Sequence, residues 1–255
     1  MDPGPDPKNI VGSIMKASRL LDAFTADRRE VTLGELTQEA GYNKTTTYRL
    51  LQTLVAAGWL VRTPMGGYRL GMRFLVLGAI ARADLDLRNE ALPYLRQLAD
   101  ELGDTSFLMV PGEHGAVVIE TVTGRSPVRV HGITVGSVLP YHVAAGPVVL
   151  AAYSPDLENE VLEGERKRLT SHTTVAKAAL RAKLAHVRET GYSVSTEDYM
   201  EDVAAVAAPI LDASGHAIAS LSVGGPANHY RDSELDRIIA RVKEFAEKLS
   251  SHLQA

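Results

Sequence analysis

The sequence predicts an α+β protein of two unequal domains joined by a linker helix. Its 255 residues are too many for one small module and few for three domains. Three helical patterns and a hairpin pattern come first, and strand and helix patterns mix in the remainder. The formal charge changes sign as well: residues 1–75 carry ten Lys and Arg against seven Asp and Glu, and the rest carry seventeen against twenty-four. We therefore place a loose tail at 1–10, a first domain at 11–71, the linker helix at 72–86 and a second domain at 87–255.

Composition excludes several classes of protein. The chain has no cysteine, which excludes disulfides, thiolate zinc sites and cysteine nucleophiles. Its first residues lack the basic-then-apolar order of a signal peptide, and no apolar run approaches the length of about 18 residues that a membrane span needs. We therefore expect a cytoplasmic protein with no membrane partner.

Two helices are predicted at the start of the first domain. Between Ser13 and Phe24, apolar residues recur at steps of three and four, so that one helix face is apolar: Ile14, Ala17, Leu21 and Phe24. Thr32 and Glu35 then have the spacing of a capping box, in which each side chain bonds the backbone of the other residue. The second helix starts there and ends at Gly41.

A third helix follows a tight turn. Asn43 is placed as its N-cap, and Gly58 ends it after about Ala57. The predicted buried stripe consists of Thr47, Leu50, Leu51 and Leu54. The outward side then presents Lys44, Thr45, Thr46, Tyr48, Arg49 and Gln52.

These outward groups suit contact with double-stranded DNA. Hydroxyls and an amide bond base edges or phosphates, and Lys44 and Arg49 neutralise backbone charge. Amides at the helix start, next to Asn43, can approach a phosphate. An ordinary solvated helix face would show the same polarity, so that this face alone leaves both interpretations open.

The next segment favours the DNA interpretation. Residues 59–63 and 68–70 flank the turn sequence at 64–67, as a β-hairpin requires. Helix, helix, turn, helix and hairpin make a winged helix-turn-helix, whose third helix reads the major groove. Arg62 and Arg69 lie on the wing, from which they can reach the minor groove or flanking phosphates.

The second domain reads as one sheet flanked by helices. The linker helix, from about Met72 to Ala83, is apolar on most sides, which favours packing against a second copy of the chain. The predicted elements beyond it are helices at 87–102, 143–153 and 175–189, strands at 105–110, 116–122, 203–211 and 217–224, and a last helix capped by Asp232 or Ser233 that reaches Leu253.

At this point the sequence resembles the IclR family of bacterial transcriptional regulators. The first matching segments, Lys44–Leu51 and Gly58-Trp59-Leu60, occur in many winged helices. The specific continuation comprises Tyr68–Gly71, Asp86-Leu87, Ala91-x-Pro93-x-Leu95, Leu139-Pro140-x-His142, Gly191-Tyr192, Val206–Pro209 and Leu221–Pro226. The resemblance implies that the second domain has a GAF-like fold and binds a small-molecule effector beside its sheet.

Carried over position by position, the resemblance implies an effector site at Ala145, Gly146, Ser195, Ala205, Ser222 and Gly224. Tyr141 and His142 are candidates for orienting contacts, with a packed loop and a bonded imidazole as the equal alternative. The family's usual Gly-Lys pair is replaced by Pro147 and Val148, and its usual cysteine by Ala205. These departures remove polar groups, as do Ser195 and Gly224, so that we expect a larger or more apolar effector than a small oxoacid.

The predicted function is a nucleoid-associated transcriptional regulator, with repression as the default. It acts as a homodimer or dimer of dimers on a palindromic operator. A DNA-binding dimer whose second domain binds no ligand is the alternative. An enzyme is disfavoured because HExxH, GxSxG, GxxxxGK[ST] and GxGxxG motifs are missing, and neither cofactor nor metal is expected.

Overall fold

The computed structural model describes residues 10–25, 28–83, 86–126 and 132–254. The predicted tail at 1–10 lies outside the described residues, apart from residue 10. The chain separates into two compact units, residues 1–84 and 85–255. Each unit has its own hydrophobic core, as the prediction of two unequal domains requires.

The N-terminal unit has the predicted winged helix-turn-helix architecture. Two short strands pair in antiparallel register, with Leu60 opposite Leu70 and Arg62 opposite Tyr68. The elements are α1 (Gly12–Leu21), α2 (Leu33–Ala40), α3 (Lys44–Ala56), β1 (Leu60–Arg62), β2 (Tyr68–Leu70) and α4 (Met72–Ala83).

Local capping chemistry sets the start of α2 and α3. The Thr32 hydroxyl accepts from the Glu35 amide, and the Glu35 carboxylate accepts from the Thr32 amide at 2.7 Å. Gly41 ends α2 with a φ of 71°, in the left-handed region that favours glycine. The capping box and the turn therefore form as their sequence predicted.

The first helix is shorter than predicted, and its buried face differs. It ends at Leu21, with Asp22 as C-cap, instead of continuing to Phe24. Leu20 and Ala23 are the buried residues of this segment, whereas Ile14 of the predicted apolar face is 66% exposed. The core of the N-terminal unit covers the last turn of α1, whereas the first turns of this helix are mostly exposed.

The C-terminal unit is a six-stranded antiparallel sheet with helices on both faces. The strand order is β5-β4-β3-β8-β7-β6. The elements are α5 (Asp86–Leu102), β3 (Thr105–Val110), β4 (Ala116–Val122), β5 (Val138–Leu139), α6 (Ala145–Ala152), α7 (Pro155–Glu163), α8 (Lys177–Thr190), β6 (Ser193–Thr196), β7 (Val203–Leu211), β8 (Ala217–Pro226) and α9 (Asp232–Leu253).

The two faces of this sheet carry separate clusters of buried side chains. Phe107 and Met109 face α6, α7 and α8, and Leu108 and Leu221 face α5 and α9. This alternation along β3 follows from the period of two in a strand. The architecture confirms the predicted α+β domain.

Three elements of this unit were not predicted, and one predicted cap was wrong. The strands β5 and β6 have only two and four residues, and α7 starts at Pro155 behind a Ser154 N-cap. Neither Asp232 nor Ser233 caps α9, because the helix already begins at Asp232 and its N-cap is Arg231, without a side-chain bond. Asp232 lies in the first helical turn, where its negative charge favours the helix dipole.

Within the described ranges, every helix is too short or too polar to cross a lipid bilayer.

Candidate functional sites

The outward face of α3 is a strip of polar side chains. It comprises the exposed Lys44, Thr45, Tyr48 and Arg49 and the half-buried Thr46 and Gln52. On the opposite side, Thr47, Leu51 and Leu54 are buried in the core of the unit. The side chains of Lys44 and Arg49 form no hydrogen bond or ion pair with another described residue. Both cations are thus available to an anionic partner.

Asn43 has a structural task at the start of this strip. Its Oδ1 accepts from the Thr46 amide at 2.8 Å, which makes it the N-cap of α3. Its side-chain NH2 group remains a donor at the edge of the polar face. The cap fixes the direction in which α3 leaves the turn, and hence the position of the whole strip.

The wing carries one free and one paired arginine among the described residues. Arg62 is exposed and has no partner there. Arg69 instead forms an ion pair with Glu30, whose Oε2 lies 2.7 Å from Nη2. The Thr63 hydroxyl and the Arg69 guanidinium hold the pKa of Glu30 below its usual range. Arg69 was predicted to contact DNA, but in this structure its charge is compensated and Arg62 is the freer cation.

An apolar groove lies on another side of the N-terminal unit. It has a volume of about 600 Å³ and runs between α1, α3 and the first turn of α4. The rings of Trp59 and Phe74 pack there with centroids 4.9 Å apart. Beyond the groove, α4 exposes a series of large apolar side chains: Met72, Leu75, Val76, Leu77 and Ile80.

A narrow cavity lies in the C-terminal unit, between the sheet and the N-terminus of α6. Six of the predicted effector residues line it: Ala145, Gly146, Ser195, Ala205, Ser222 and Gly224. Strand pairing brings three of them together, since Ser195 lies opposite Ala205 and Ala205 opposite Gly224. The cavity encloses about 30 Å³, close to the volume of one water molecule. The space that these small residues were expected to leave is therefore reduced to about that of one water in this structure.

The polar groups behind this cavity form a connected network around Asp198. One carboxylate oxygen, Oδ1, accepts from the Ser195 hydroxyl at 2.5 Å and from the Ala144 amide at 3.0 Å. The other, Oδ2, accepts from the Lys183 ammonium at 2.8 Å. Asp198 is 4% exposed. Its buried negative charge is compensated by one cation and two neutral hydrogen-bond donors.

The backbone at Ala144 is strained. Its φ of 56° and ψ of 159° lie in a region that residues with a Cβ rarely adopt. Such a conformation costs on the order of 1–3 kcal/mol and persists where surrounding contacts enforce it. The hydrogen bond from its amide to Asp198 is one such contact.

The structure does not place Tyr141 and His142 in the cavity wall. The Tyr141 hydroxyl donates to the Gly112 carbonyl at 2.8 Å and accepts from the Gly112 amide. Nε2 of His142 bonds the Lys167 carbonyl oxygen at 2.9 Å. Both side chains are buried and bonded to backbone, as the packed-loop alternative describes.

Several residues of this site were missed from the sequence. Phe107 and Met109 of β3 and Tyr199 and Met200 of the turn after β6 also line the cavity. The alternation of β3 could have indicated the first two, because Phe107 pairs with Ser222 in the sheet. The sequence held no comparable signal for Asp198, since two of its three partners, Ala144 and Lys183, come from other segments.

A larger cleft of about 480 Å³ lies elsewhere in this unit, between α8, α9 and the β7–β8 turn. Its two cations are already engaged. Arg188 bonds the Ala152 carbonyl and Glu158, and Lys243 bonds the Thr190 carbonyl. The described residues contain no group of three His, Asp or Glu side chains that could hold a metal ion.

Comparison with known proteins covers both units. Residues 13–64 match the family model of the IclR helix-turn-helix domain, and residues 80–251 match that of the bacterial transcriptional regulator IclR C-terminal domain. Among curated proteins, the HTH-type transcriptional regulator KdgR of Escherichia coli is 31% identical over 99% of this chain and 95% of its own length. The HTH-type transcriptional regulator XynR of the same organism is 30% identical over 96% and 98%.

Solved structures show the same architecture. An IclR transcriptional regulator from Silicibacter sp. TM1040 superposes with a TM-score of 0.86, at 28% identity, over 96% of this chain and 97% of that one. An IclR homologue from Microbacterium hydrocarbonoxydans, complexed with 4-hydroxybenzoate, superposes with a TM-score of 0.77, at 26% identity, over 94% and 98%.

Proposed function

This chain belongs to the IclR family of bacterial transcriptional regulators, and from this premise we propose that it is a repressor whose operator binding is modulated by an effector. In this proposal α3 and the wing read a palindromic double-stranded DNA operator, and the cavity of the C-terminal unit takes the effector. The observation that supports the proposed DNA binding is the polar face of α3, with its free Lys44 and Arg49.

The roles in DNA binding differ along α3. Lys44 and Arg49 contact phosphates, with the wing's Arg62 as a further cation. Thr45, Thr46, Tyr48 and Gln52 supply the hydroxyl and amide groups for base edges. The NH2 group of Asn43 is close to the helix start, where backbone amides favour a phosphate. Arg69 contributes only if its ion pair with Glu30 opens.

The proposed effector binding depends on a cavity in the C-terminal unit, bounded by Ser195, Ala205, Ser222 and Gly224. Its wall is mostly apolar, so that a compact oxoacid would lose its hydration without enough donors in return. The 4-hydroxybenzoate bound to the Microbacterium relative is an aromatic molecule, which supports a larger effector here. Binding requires the wall to move outward.

The proposed assembly is a homodimer, or a dimer of such dimers, joined through α4. Large apolar side chains exposed along this helix would be buried against a second copy. Two α3 helices related by two-fold symmetry then match the two half-sites of a palindrome. An effector acts allosterically in this assembly if it binds the DNA-competent and incompetent arrangements with different affinities.

Arg49→Ala tests the DNA interface. We expect weaker binding to all DNA sequences and a salt dependence reduced by about 0.9 per lost phosphate contact, because counterion release falls. Fluorescence anisotropy with DNA from upstream of the protein's own gene, at several salt concentrations, measures both quantities. Arg19→Ala is the matched control, since it removes an exposed arginine of α1. Unchanged binding by the double variant Arg49→Ala, Lys44→Ala would contradict the interface.

The small volume of the cavity also supports a second candidate, a DNA-binding dimer whose C-terminal unit binds no ligand. Thermal unfolding in the presence of candidate metabolites separates the two. A ligand at a hundred times its dissociation constant stabilises the folded protein by about 2.7 kcal/mol. A regulator controlled by an effector also changes its DNA affinity when that ligand binds. A dimer whose C-terminal unit binds no ligand shows neither the stabilisation nor the change in DNA affinity.

A further inference from the structure

The proposed effector cavity has a carboxylate of the protein itself behind one wall. Asp198 is held by three donors, namely the Ser195 hydroxyl, the Ala144 amide and the Lys183 ammonium. Its own carbonyl oxygen accepts from the Thr173 hydroxyl at 2.7 Å, which fixes the turn that carries it. The position of this negative charge relative to the cavity wall is therefore well determined.

Asp198 sets the hydrogen-bonding character of Ser195. An ionised carboxylate only accepts hydrogen bonds, so the hydrogen of the Ser195 hydroxyl points at Asp198. Ser195 lines the cavity, and the part of its oxygen that remains for a ligand is a lone pair. A ligand group that meets Ser195 must consequently be a donor.

Ser222 is the second polar group of the wall. It is 2% exposed and lines the cavity, and its hydroxyl bonds no other residue within the described ranges. A hydroxyl that faces the cavity in this way keeps its donor and acceptor capacity for a ligand group that enters. Phe107 and Met109 beside it are apolar. The wall thus offers one acceptor and one adaptable hydroxyl on an apolar surface.

We propose that Asp198, acting through Ser195, determines which effectors this cavity accepts, an inference that rests on the proposed effector function. The accepted molecule is mostly apolar and turns a neutral donor, a phenolic or alcoholic hydroxyl, toward Ser195 and Ser222. A carboxylate in that place is rejected, because it would meet a lone pair of Ser195, whose hydrogen is already donated to Asp198. Entry moves the wall of the cavity outward, since the cavity holds about one water.

Three probes that differ in one group test this selectivity. p-Cresol, 4-methylanisole and 4-methylbenzoate share a tolyl ring and carry a neutral donor, a neutral acceptor and an anion. We expect calorimetric titration of the full-length protein to show p-cresol binding about tenfold more tightly than either of the others. Ala205→Leu, which fills the cavity, should abolish this binding and thereby locate it.

Variants then isolate the role of Asp198. Asp198→Asn removes the negative charge, and the introduced side-chain amide can donate to Ser195, which frees the serine hydrogen for a ligand. We expect 4-methylbenzoate affinity to rise about tenfold relative to p-cresol. Ser195→Ala should remove the preference for p-cresol over 4-methylanisole. Asp156→Asn, which removes an exposed carboxylate of α7, is the control and should change neither ratio.

The outcomes separate this inference from the function on which it rests. If wild-type protein binds 4-methylbenzoate as tightly as p-cresol, or if Asp198→Asn leaves their ratio unchanged, the selectivity is overturned while the effector cavity stands. If Asp198→Asn does not fold, Ser195→Ala provides an equivalent test. A preference for p-cresol over 4-methylanisole that equals the wild-type preference then overturns the proposed selectivity. If none of the probes binds the wild-type protein, the cavity fails as a site for such effectors and the selectivity fails with it.

Discussion

Asp104 is a buried carboxylate whose charge is poorly compensated. It is 3% exposed, and its Oδ1 atom has no hydrogen-bond partner among the described residues. Its Oδ2 atom lies 3.4 Å from Nδ1 of the partly exposed His229. Burial raises the pKa of Asp104, and it raises the pKa of the neighbouring Tyr230 hydroxyl well above its ordinary value. Ionisation of this residue at neutral pH therefore works against folding.

The raised pKa of Asp104 gives a pH-dependent stability. Its contribution is fully present below the unfolded-state pKa of about 3.9 and is lost as the pH rises through the folded-state pKa. Asp104→Asn stays neutral, so we expect it to be more stable than wild type at about pH 7.5, by on the order of 1 kcal/mol, with a smaller difference at about pH 4.5. Thermal unfolding followed by circular dichroism measures both. A difference that is absent, or larger in acid, would contradict this account, and the exposed Asp236→Asn is the control.

At the scale of elements, the wing is joined to the helices through a close backbone contact at Gly71. The Gly71 amide donates to the Trp59 carbonyl at 2.8 Å. A Cβ atom on Gly71 would lie 2.4 Å from the carbonyl oxygen of Gly58, so the two segments can approach this closely only because residue 71 lacks a side chain. The position of the wing beside α3 depends on this contact.

Replacing Gly71 by alanine should loosen the wing. The added methyl group must displace the backbone, at a cost of about 1–3 kcal/mol. Trp59 is the one tryptophan of the chain, so the unfolding midpoint of its fluorescence reports on the N-terminal unit. Gly34→Ala is the matched control, because a Cβ there lies 3.9 Å from the Thr32 hydroxyl on an exposed helix position and should stabilise by about 0.5–1 kcal/mol. Equal midpoints for Gly71→Ala and wild type would show that the contact is dispensable.

At the scale of the whole molecule, the exposed apolar residues of α4 are the feature that a single chain leaves unexplained. Leu75 is 64% exposed and Val76 56%. A helix with large apolar residues on several sides is stable in water when a partner covers them. The proposed dimer supplies that partner and also places two α3 helices on one palindrome.

Leu75→Lys should weaken the dimer, because it puts a charge into the surface that α4 is proposed to bury. Sedimentation velocity over a range of protein concentrations should show more monomer than for wild type, and binding to a palindromic operator should weaken more than binding to a half-site. Met65→Lys makes the same chemical change at a wing residue that is 95% exposed and should leave the assembly unchanged. An unaltered sedimentation coefficient for Leu75→Lys would place the dimer interface elsewhere.

The sequence was informative wherever a structure depends on neighbouring residues. The capping box of Thr32 and Glu35, the Asn43 cap and the bounds of β3, β4 and β7 formed as predicted, because each depends on residues a few positions apart. Short or weakly signalled elements were missed, among them β5, with two residues. The periodicity of α1 predicted which face is apolar but not how much of it is buried, because burial depends on how far the neighbouring elements cover the helix.

By itself, the sequence determined a winged helix-turn-helix and the polar face of its third helix, and the family resemblance added six residues that line the cavity of the C-terminal unit. Only the tertiary structure decided that Arg69 is paired with Glu30, that Tyr141 and His142 are bonded to backbone, and that the cavity holds about one water. It also brought Asp198 to Ala144, 54 residues away. Local patterns follow from the covalent geometry of the chain, whereas these contacts exist only after the sheet has brought distant segments together.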